Sequence, residues 1–82
     1  MSTAEKLLAR FKQAENTFPW QSLVTLLGQL GYEKREMAGS RIRFFHAQLN
    51  HTIMLHKPHP ENYIKGGALK AVKTSLLQVG LL

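Results

Sequence analysis

Cysteine and aspartate are both absent from the chain, and these absences exclude several kinds of chemistry. Without cysteine there is no disulfide, no thiolate nucleophile and no zinc site built on sulfur ligands. Without aspartate no Ser-His-Asp triad can form. The composition fits a reducing compartment.

Long apolar runs are missing as well. No stretch approaches the roughly 20 apolar residues that a membrane-spanning helix needs. The first residues, Met1 to Glu5, lack the basic start and the apolar run of a secretory signal. We therefore expect a soluble, cytoplasmic protein with no membrane association.

A chain of 82 residues suffices for one hydrophobic core but not for two, so we expect a single domain over 1–82.

Acidic residues are scarce, and the formal net charge is +6. Residues 1–36 carry five basic and four acidic side chains, whereas residues 37–82 carry six basic side chains and only Glu61. The basic residues of the second half are spread over predicted strands and loops rather than along one amphipathic helix. This distribution favours nucleic acid over a membrane as the polyanionic partner. A solvated basic surface without a partner is the alternative.

The apolar pattern predicts three helices. The first covers residues 2–13 and is expected to lie at the periphery. The second begins near Trp20, with Thr17 as its cap, and ends at Gly31. The third follows the Lys-Gly-Gly segment at 65–67 and ends at Gly80, with its apolar side chains on one face.

Between the second and third helices, the pattern predicts strands and turns. Strands are expected at 32–37, 41–45 and 52–56, and an exposed loop at 57–60, where two prolines exclude a central strand. Together these elements predict an α+β fold: a three-stranded antiparallel sheet with helices packed on one face and the other face open to a ligand.

Three segments occur in a distinctive order along the chain. They are Gly-Ser-Arg-Ile-Arg-Phe at 39–44, His-Lys-Pro-His-Pro at 56–60 and Lys-Gly-Gly-Ala-Leu-Lys at 65–70. In order and spacing they resemble the HicA family of bacterial toxin–antitoxin systems, over about residues 20–82. The resemblance implies a fold like that of a double-stranded-RNA-binding domain, with the helix at 2–13 as an addition. It also implies metal-independent, cofactor-free endoribonuclease cleavage of mRNA that blocks translation, and neutralisation by a HicB-type antitoxin.

Arg41 stands where the HicA family usually has its catalytic histidine. An arginine can bind a phosphate and stabilise a transition state, but it cannot act as a base at neutral pH. Two alternatives follow. Either a different histidine supplies the base, or this branch of the family binds RNA without cutting it.

Histidine suits proton transfer in RNA cleavage because its unperturbed pKa lies near 6.5. His56 and His59 bracket Lys57 in a short, stiff segment at the end of a strand, from which they could face one phosphate. The catalytic candidates are therefore Arg41, His56 and His59, with a polar loop as the alternative. His46 and His51 flank a predicted turn and are expected to be solvated there. A zinc site is disfavoured, since no third ligand is visible.

Lys65, Gly66 and Gly67 precede a helix and are predicted to form a phosphate-binding site. Glycines let backbone N–H groups approach a phosphate closely, and a helix N-terminus favours an anion. A plain helix start with solvated lysines is the alternative. Trp20 and Tyr32 are expected to pack in the core. The predicted RNA-binding residues are Arg41, Arg43, Lys57, Lys65, Lys70 and Lys73.

Two functions of different classes follow from these observations. The first is a ribonuclease toxin of the HicA type. The second is a non-catalytic module that binds RNA or an antitoxin, which Arg41 favours. A DNA-binding domain fits less well, since no recognition helix with base-reading residues is apparent.

Overall fold

A computed structural model describes residues 3–82 and shows an α+β fold. Its helices are α1 (Thr3–Gln13), α2 (Trp20–Gln29) and α3 (Gly66–Gln78). Its strands are β1 (Thr17–Pro19), β2 (Glu33–Glu36), β3 (Arg41–His46), β4 (His51–His56) and β5 (Tyr63–Lys65). The strands β2, β3 and β4 form an antiparallel sheet in that order, and β1 pairs with β5 in a separate two-stranded sheet. The predicted fold class is confirmed.

The three-stranded sheet has one buried face and one open face because its side chains alternate. On β3 and β4, the buried apolar side chains are Ile42, Phe44, Ile53 and Leu55. They join the core formed by the helices. The intervening side chains point to the opposite face, which the helices leave uncovered.

Helix α1 is part of the core and not peripheral, which corrects the prediction for residues 2–13; residue 2 lies outside the described residues. Leu7 and Phe11 of α1 are buried. The Phe11 ring meets Phe18 edge-on, with the ring centroids 5.0 Å apart. Burial of each of these two side chains stabilises the fold by about 1.5–3 kcal/mol, so the helix is firmly attached.

Helix α2 ends as predicted, at a glycine in the left-handed region. Gly31 has φ +104°, and the chain closes the helix with two backbone hydrogen bonds. The Tyr32 amide donates to the Leu27 carbonyl (2.9 Å), and the Gly31 amide donates to the Gly28 carbonyl (3.1 Å). This is the Schellman arrangement, in which glycine avoids the penalty that a side chain would meet.

The start of α2 differs from the prediction. Thr17 does not cap the helix: it lies in β1, opposite Lys65 of β5, and Pro19 occupies the cap position without a side-chain hydrogen bond. The amide of Trp20 instead donates to the Asn62 carbonyl at 2.8 Å. The small β1–β5 sheet therefore links the start of α2 to the start of α3. None of the helices within residues 3–82 is long and apolar enough to cross a bilayer.

Candidate nucleic-acid interface

The open face of the three-stranded sheet carries arginines from two strands. Arg35 of β2 and Arg43 of β3 stand directly opposite each other in the sheet register. Like charges in this position repel. Within residues 3–82, neither arginine forms an ion pair with a carboxylate. Two arginines without an ion-pair partner among the described residues therefore lie side by side on this face.

Arg41 and His56 form the next cross-strand pair on this face. The amide of Lys57 donates to the Ser40 carbonyl at 2.8 Å, so Ser40 and Lys57 are a hydrogen-bonded pair. Hydrogen-bonded and non-hydrogen-bonded pairs alternate along an antiparallel ladder, so the neighbouring pair, Arg41 and His56, is non-hydrogen-bonded. In such pairs the Cα atoms are only about 4.5 Å apart and the two side chains lie closest. Both side chains are exposed. A guanidinium and an imidazole can thus meet one phosphate from the same face.

The turn before β3 holds Arg41 in place. Gly39 and Ser40 both have positive φ, +72° and +63°, which folds the chain sharply between β2 and β3. Arg41 Nε then donates to the Ala38 carbonyl at 3.1 Å. One edge of the guanidinium is fixed by this bond, and the terminal nitrogens stay available to a ligand.

The open face also has an apolar part. Phe45 is half-buried and Met54 is 50% exposed. The Arg43 guanidinium carbon lies 5.3 Å from the centroid of the Phe45 ring, which is cation–π geometry. Beside Arg43 and Phe45 is an open groove of about 400 Å³, lined also by Glu33, Lys34 and Arg35.

The segment after β4 only partly follows the prediction. Lys57 and His59 are exposed, as expected of a loop. The hydrogen bond from Lys57 to Ser40 extends the pairing of β3 with β4 by one residue. Since successive side chains of a strand point to opposite faces, the Lys57 side chain points to the face opposite that of His56. The described contacts bring Arg41 to His56; none of them links either residue to His59.

The predicted phosphate-binding site lies at the start of α3. Lys65 is the cap residue, and its ammonium forms an ion pair with Glu61 at 3.6 Å. Exposed pairs of this kind contribute about 0–1 kcal/mol, so Lys65 can exchange its partner for a phosphate. Lys70 is exposed on the first turns of the same helix.

Lys73, by contrast, is partly buried and hydrogen-bonded to the protein itself. Its ammonium donates to the carbonyls of Ala14 and of Lys12 (3.4 Å for Lys12), at the C-terminal end of α1. It also lies 5.8 Å from the centroid of the Phe11 ring. A cation at this helix end satisfies carbonyls that lack helical partners. We therefore assign Lys73 a structural role instead of the predicted RNA contact.

Two histidines expected to be solvated have defined partners instead. His46 is buried: its Nε2 donates to the Leu30 carbonyl at 3.0 Å, and its Nδ1 accepts the Leu49 amide at 3.2 Å. His51 Nδ1 lies 2.7 Å from the Tyr32 hydroxyl. Burial raises the pKa of Tyr32, so this hydroxyl stays protonated near neutral pH. Tyr32 itself is buried as predicted.

Two residues of the open face, Arg35 and Glu33, were missed by the sequence predictions. The charged strand containing them was expected, but their face depends on the pairing of β2 with β3. A register shift of one residue between β2 and β3 would have placed the Glu33 and Arg35 side chains on the buried face of the sheet. The available signal was the alternation of Glu33 and Arg35 with Lys34 and Glu36.

Comparison with known protein families identifies the family of the chain. A family model described as the HicA toxin of bacterial toxin–antitoxin systems matches residues 20–81, which is more than half of the chain. No curated protein and no solved structure matches the chain. The chain therefore belongs to the HicA toxin family and is the toxin of a pair whose other member is an antitoxin.

Proposed function

We propose that the protein is a metal-independent mRNA endoribonuclease that blocks translation. The observation that carries the proposal is the direct opposition of Arg41 and His56 on an open, arginine-rich sheet face. A base and a cation at adjacent positions are what cleavage through the RNA 2′-hydroxyl requires. Arg41 occupies the family's usual histidine position, and His56 stands beside it as the base.

In this mechanism the neutral imidazole of His56 removes the proton of a 2′-hydroxyl. The 2′-oxygen attacks the adjacent phosphorus, and the guanidinium of Arg41 binds the oxygens on which negative charge increases. The bond from phosphorus to the 5′-oxygen then breaks, and the leaving oxygen takes a proton from solvent or from His59, the exposed histidine of the loop that follows β4. The products are a 2′,3′-cyclic phosphate and a 5′-hydroxyl.

The remaining basic side chains hold the RNA. Arg35 and Arg43 bind phosphates on the sheet face, where neither forms an ion pair with a carboxylate of the described chain. Lys65 and Lys70 bind phosphates at the start of α3, and Lys57 binds at the edge of β4. A plot of the logarithm of the RNA-binding constant against the logarithm of the salt concentration should have a slope of about −0.7 for each phosphate of single-stranded RNA that the protein contacts.

The antitoxin partner is of the HicB type in this proposal. Its supporting observations are the family match and the uncovered basic face. An antitoxin that covers the Arg41–His56 pair would exclude RNA from it. The neutralised complex should therefore neither bind nor cut RNA.

The test is a gel assay with purified protein, long single-stranded RNA and EDTA. Wild type should cleave the RNA. Arg41→Ala and His56→Ala should each lose about 100-fold or more in rate, the typical contribution of one acid–base or electrostatic group. Thr52→Ala, an exposed position of the same strand, is the matched control and should cleave normally.

Binding is measured in parallel with the same variants. If His56→Ala binds RNA but no longer cuts it, the ribonuclease proposal stands. If wild type binds in a salt-dependent way and leaves the RNA intact, the protein is a binding module instead.

A further inference from the structure

The groove beside Phe45 contains groups of three kinds within one small space. Arg35 and Arg43 provide two positive charges without an ion-pair partner among the described residues, Phe45 provides a partly exposed ring, and Glu33 provides a carboxylate. Lys34 also lines the groove, but its ammonium is paired with Glu36 at 3.9 Å. Glu33 stands directly opposite Phe45 in the register, on the same face as the two arginines. The groove's volume of about 400 Å³ lies at the lower end of the range for small-ligand sites, roughly 300–1,000 Å³.

The carboxylate of Glu33 lacks an ion-pair partner among residues 3–82, although two arginines line the same groove. A carboxylate accepts hydrogen bonds and donates none. The ligand that fits must therefore present donors to Glu33 and an anion to Arg35 and Arg43. An acidic peptide can offer carboxylates to the arginines, but Glu33 in the same groove repels these carboxylates.

A nucleotide meets both requirements. Its phosphate can bind the arginine pair, and its base can stack on the planar surface formed by Arg43 and Phe45, which lie in cation–π contact. Among the four bases, guanine alone has two neighbouring donors, N1–H and the exocyclic amine, on its Watson–Crick edge. These two donors match the two oxygens of one carboxylate. Adenine and cytosine place a ring acceptor beside their donor, and uracil places carbonyls on both sides of its single donor.

We infer that the groove formed by Glu33, Arg35, Arg43 and Phe45 is a guanine subsite. Glu33 determines its specificity, and the arginines and the ring bind any nucleotide. This inference rests on the proposed function, since it gives the RNA that is cut at the Arg41–His56 pair a preferred base. The subsite lies on the same sheet face as that pair.

The test is an NMR titration of the isotopically labelled protein with GMP, AMP, CMP and UMP. GMP should shift the amide signals of the four groove residues and bind about fivefold or more tightly than the other three nucleotides, near the lower limit for a bidentate base contact. Glu33→Gln should remove the preference and keep weak binding of all four. Phe45→Leu should weaken all four alike.

Two control variants test whether the preference belongs to Glu33 and is independent of cleavage. Glu15→Gln changes an exposed carboxylate outside the three-stranded sheet and should leave the preference intact. His56→Ala should bind GMP as wild type does, because the titration does not depend on cleavage. The guanine subsite would be ruled out by equal affinity for the four nucleotides, or by a glutamate peptide that shifts the same signals more strongly than GMP. RNA cleavage without guanine preference would overturn the subsite and leave the ribonuclease proposal standing.

Discussion

Replacing Gly31 by alanine should destabilise the fold much more than the same replacement at Gly80. Both glycines follow the last residues of a helix and close it with the same pattern of two backbone hydrogen bonds. Both have positive φ, +104° at Gly31 and +80° at Gly80. They differ in what a side chain would meet. A Cβ at Gly31 would lie 2.6 Å from His46 Nε2, whereas nothing lies within 4 Å of a Cβ at Gly80.

The magnitude follows from these contacts. The left-handed backbone costs about 1–2 kcal/mol for alanine at either position. At Gly31 the imidazole of His46 must also move, which adds about 1–3 kcal/mol of overpacking. Its hydrogen bond to the Leu30 carbonyl is lost, which adds about 0.5–1.5 kcal/mol. The expected loss is therefore about 2.5–6.5 kcal/mol at Gly31, against about 1–2 kcal/mol at Gly80.

Urea unfolding followed by the fluorescence of Trp20, the single tryptophan, measures both losses. A domain of this size is stable by only about 4–12 kcal/mol, so Gly31→Ala should remove a substantial part of its stability. In a His46→Ala background the clash is absent. There Gly31→Ala should cost only about 1–2 kcal/mol, as at Gly80.

Equal losses at Gly31 and Gly80 in the wild-type background would refute this reasoning. So would a cost at Gly31 that is unchanged when His46 is removed. Either result would mean that His46 does not pack against the end of α2.

Two further predictions concern Lys73 and Tyr32. Lys73→Met should lower the free energy of unfolding by about 1–2 kcal/mol, because it removes the cation from the end of α1. Lys70→Met, on the exposed side of α3, should change it by less than about 0.5 kcal/mol. Urea unfolding of both variants measures the difference. Burial raises the pKa of Tyr32 above its ordinary value of 10.0, so the stability from this un-ionised hydroxyl is complete below pH 10 and is lost as the pH rises through the folded-state pKa. Tyr32→Phe should therefore show a smaller loss of stability above pH 10 than wild type; an unchanged alkaline slope in Tyr32→Phe would contradict the assignment.

The sequence predicts correctly those elements whose local residue pattern matches the position they take in the fold. The alternation of basic and apolar residues at 41–45 predicted a half-buried strand, and the sheet register confirms the two faces. Gly31 marked the end of α2 because only glycine adopts its φ without strain. The exposed loop at 57–60 followed from its prolines.

The parts that could not be predicted depend on contacts between distant segments. The strands β1 and β5 are three residues each and exist through pairing across more than forty positions of sequence. Lys73 looks like a solvated lysine until α3 is packed beside the end of α1. His46 becomes a structural residue only because the hairpin brings it under Gly31. The opposition of Arg35 and Arg43 likewise required the register of β2 on β3.

The most direct test of the central claim, that an imidazole opposite Arg41 activates the RNA 2′-hydroxyl, is the chemistry of the cut ends. Purified protein is mixed in EDTA with a labelled RNA and with the same RNA carrying 2′-O-methyl groups. We expect products with a 2′,3′-cyclic phosphate and a 5′-hydroxyl from the first RNA, and binding without cleavage of the second. Cleavage of the 2′-O-methyl RNA, or products with 3′-hydroxyl and 5′-phosphate ends, would contradict the claim.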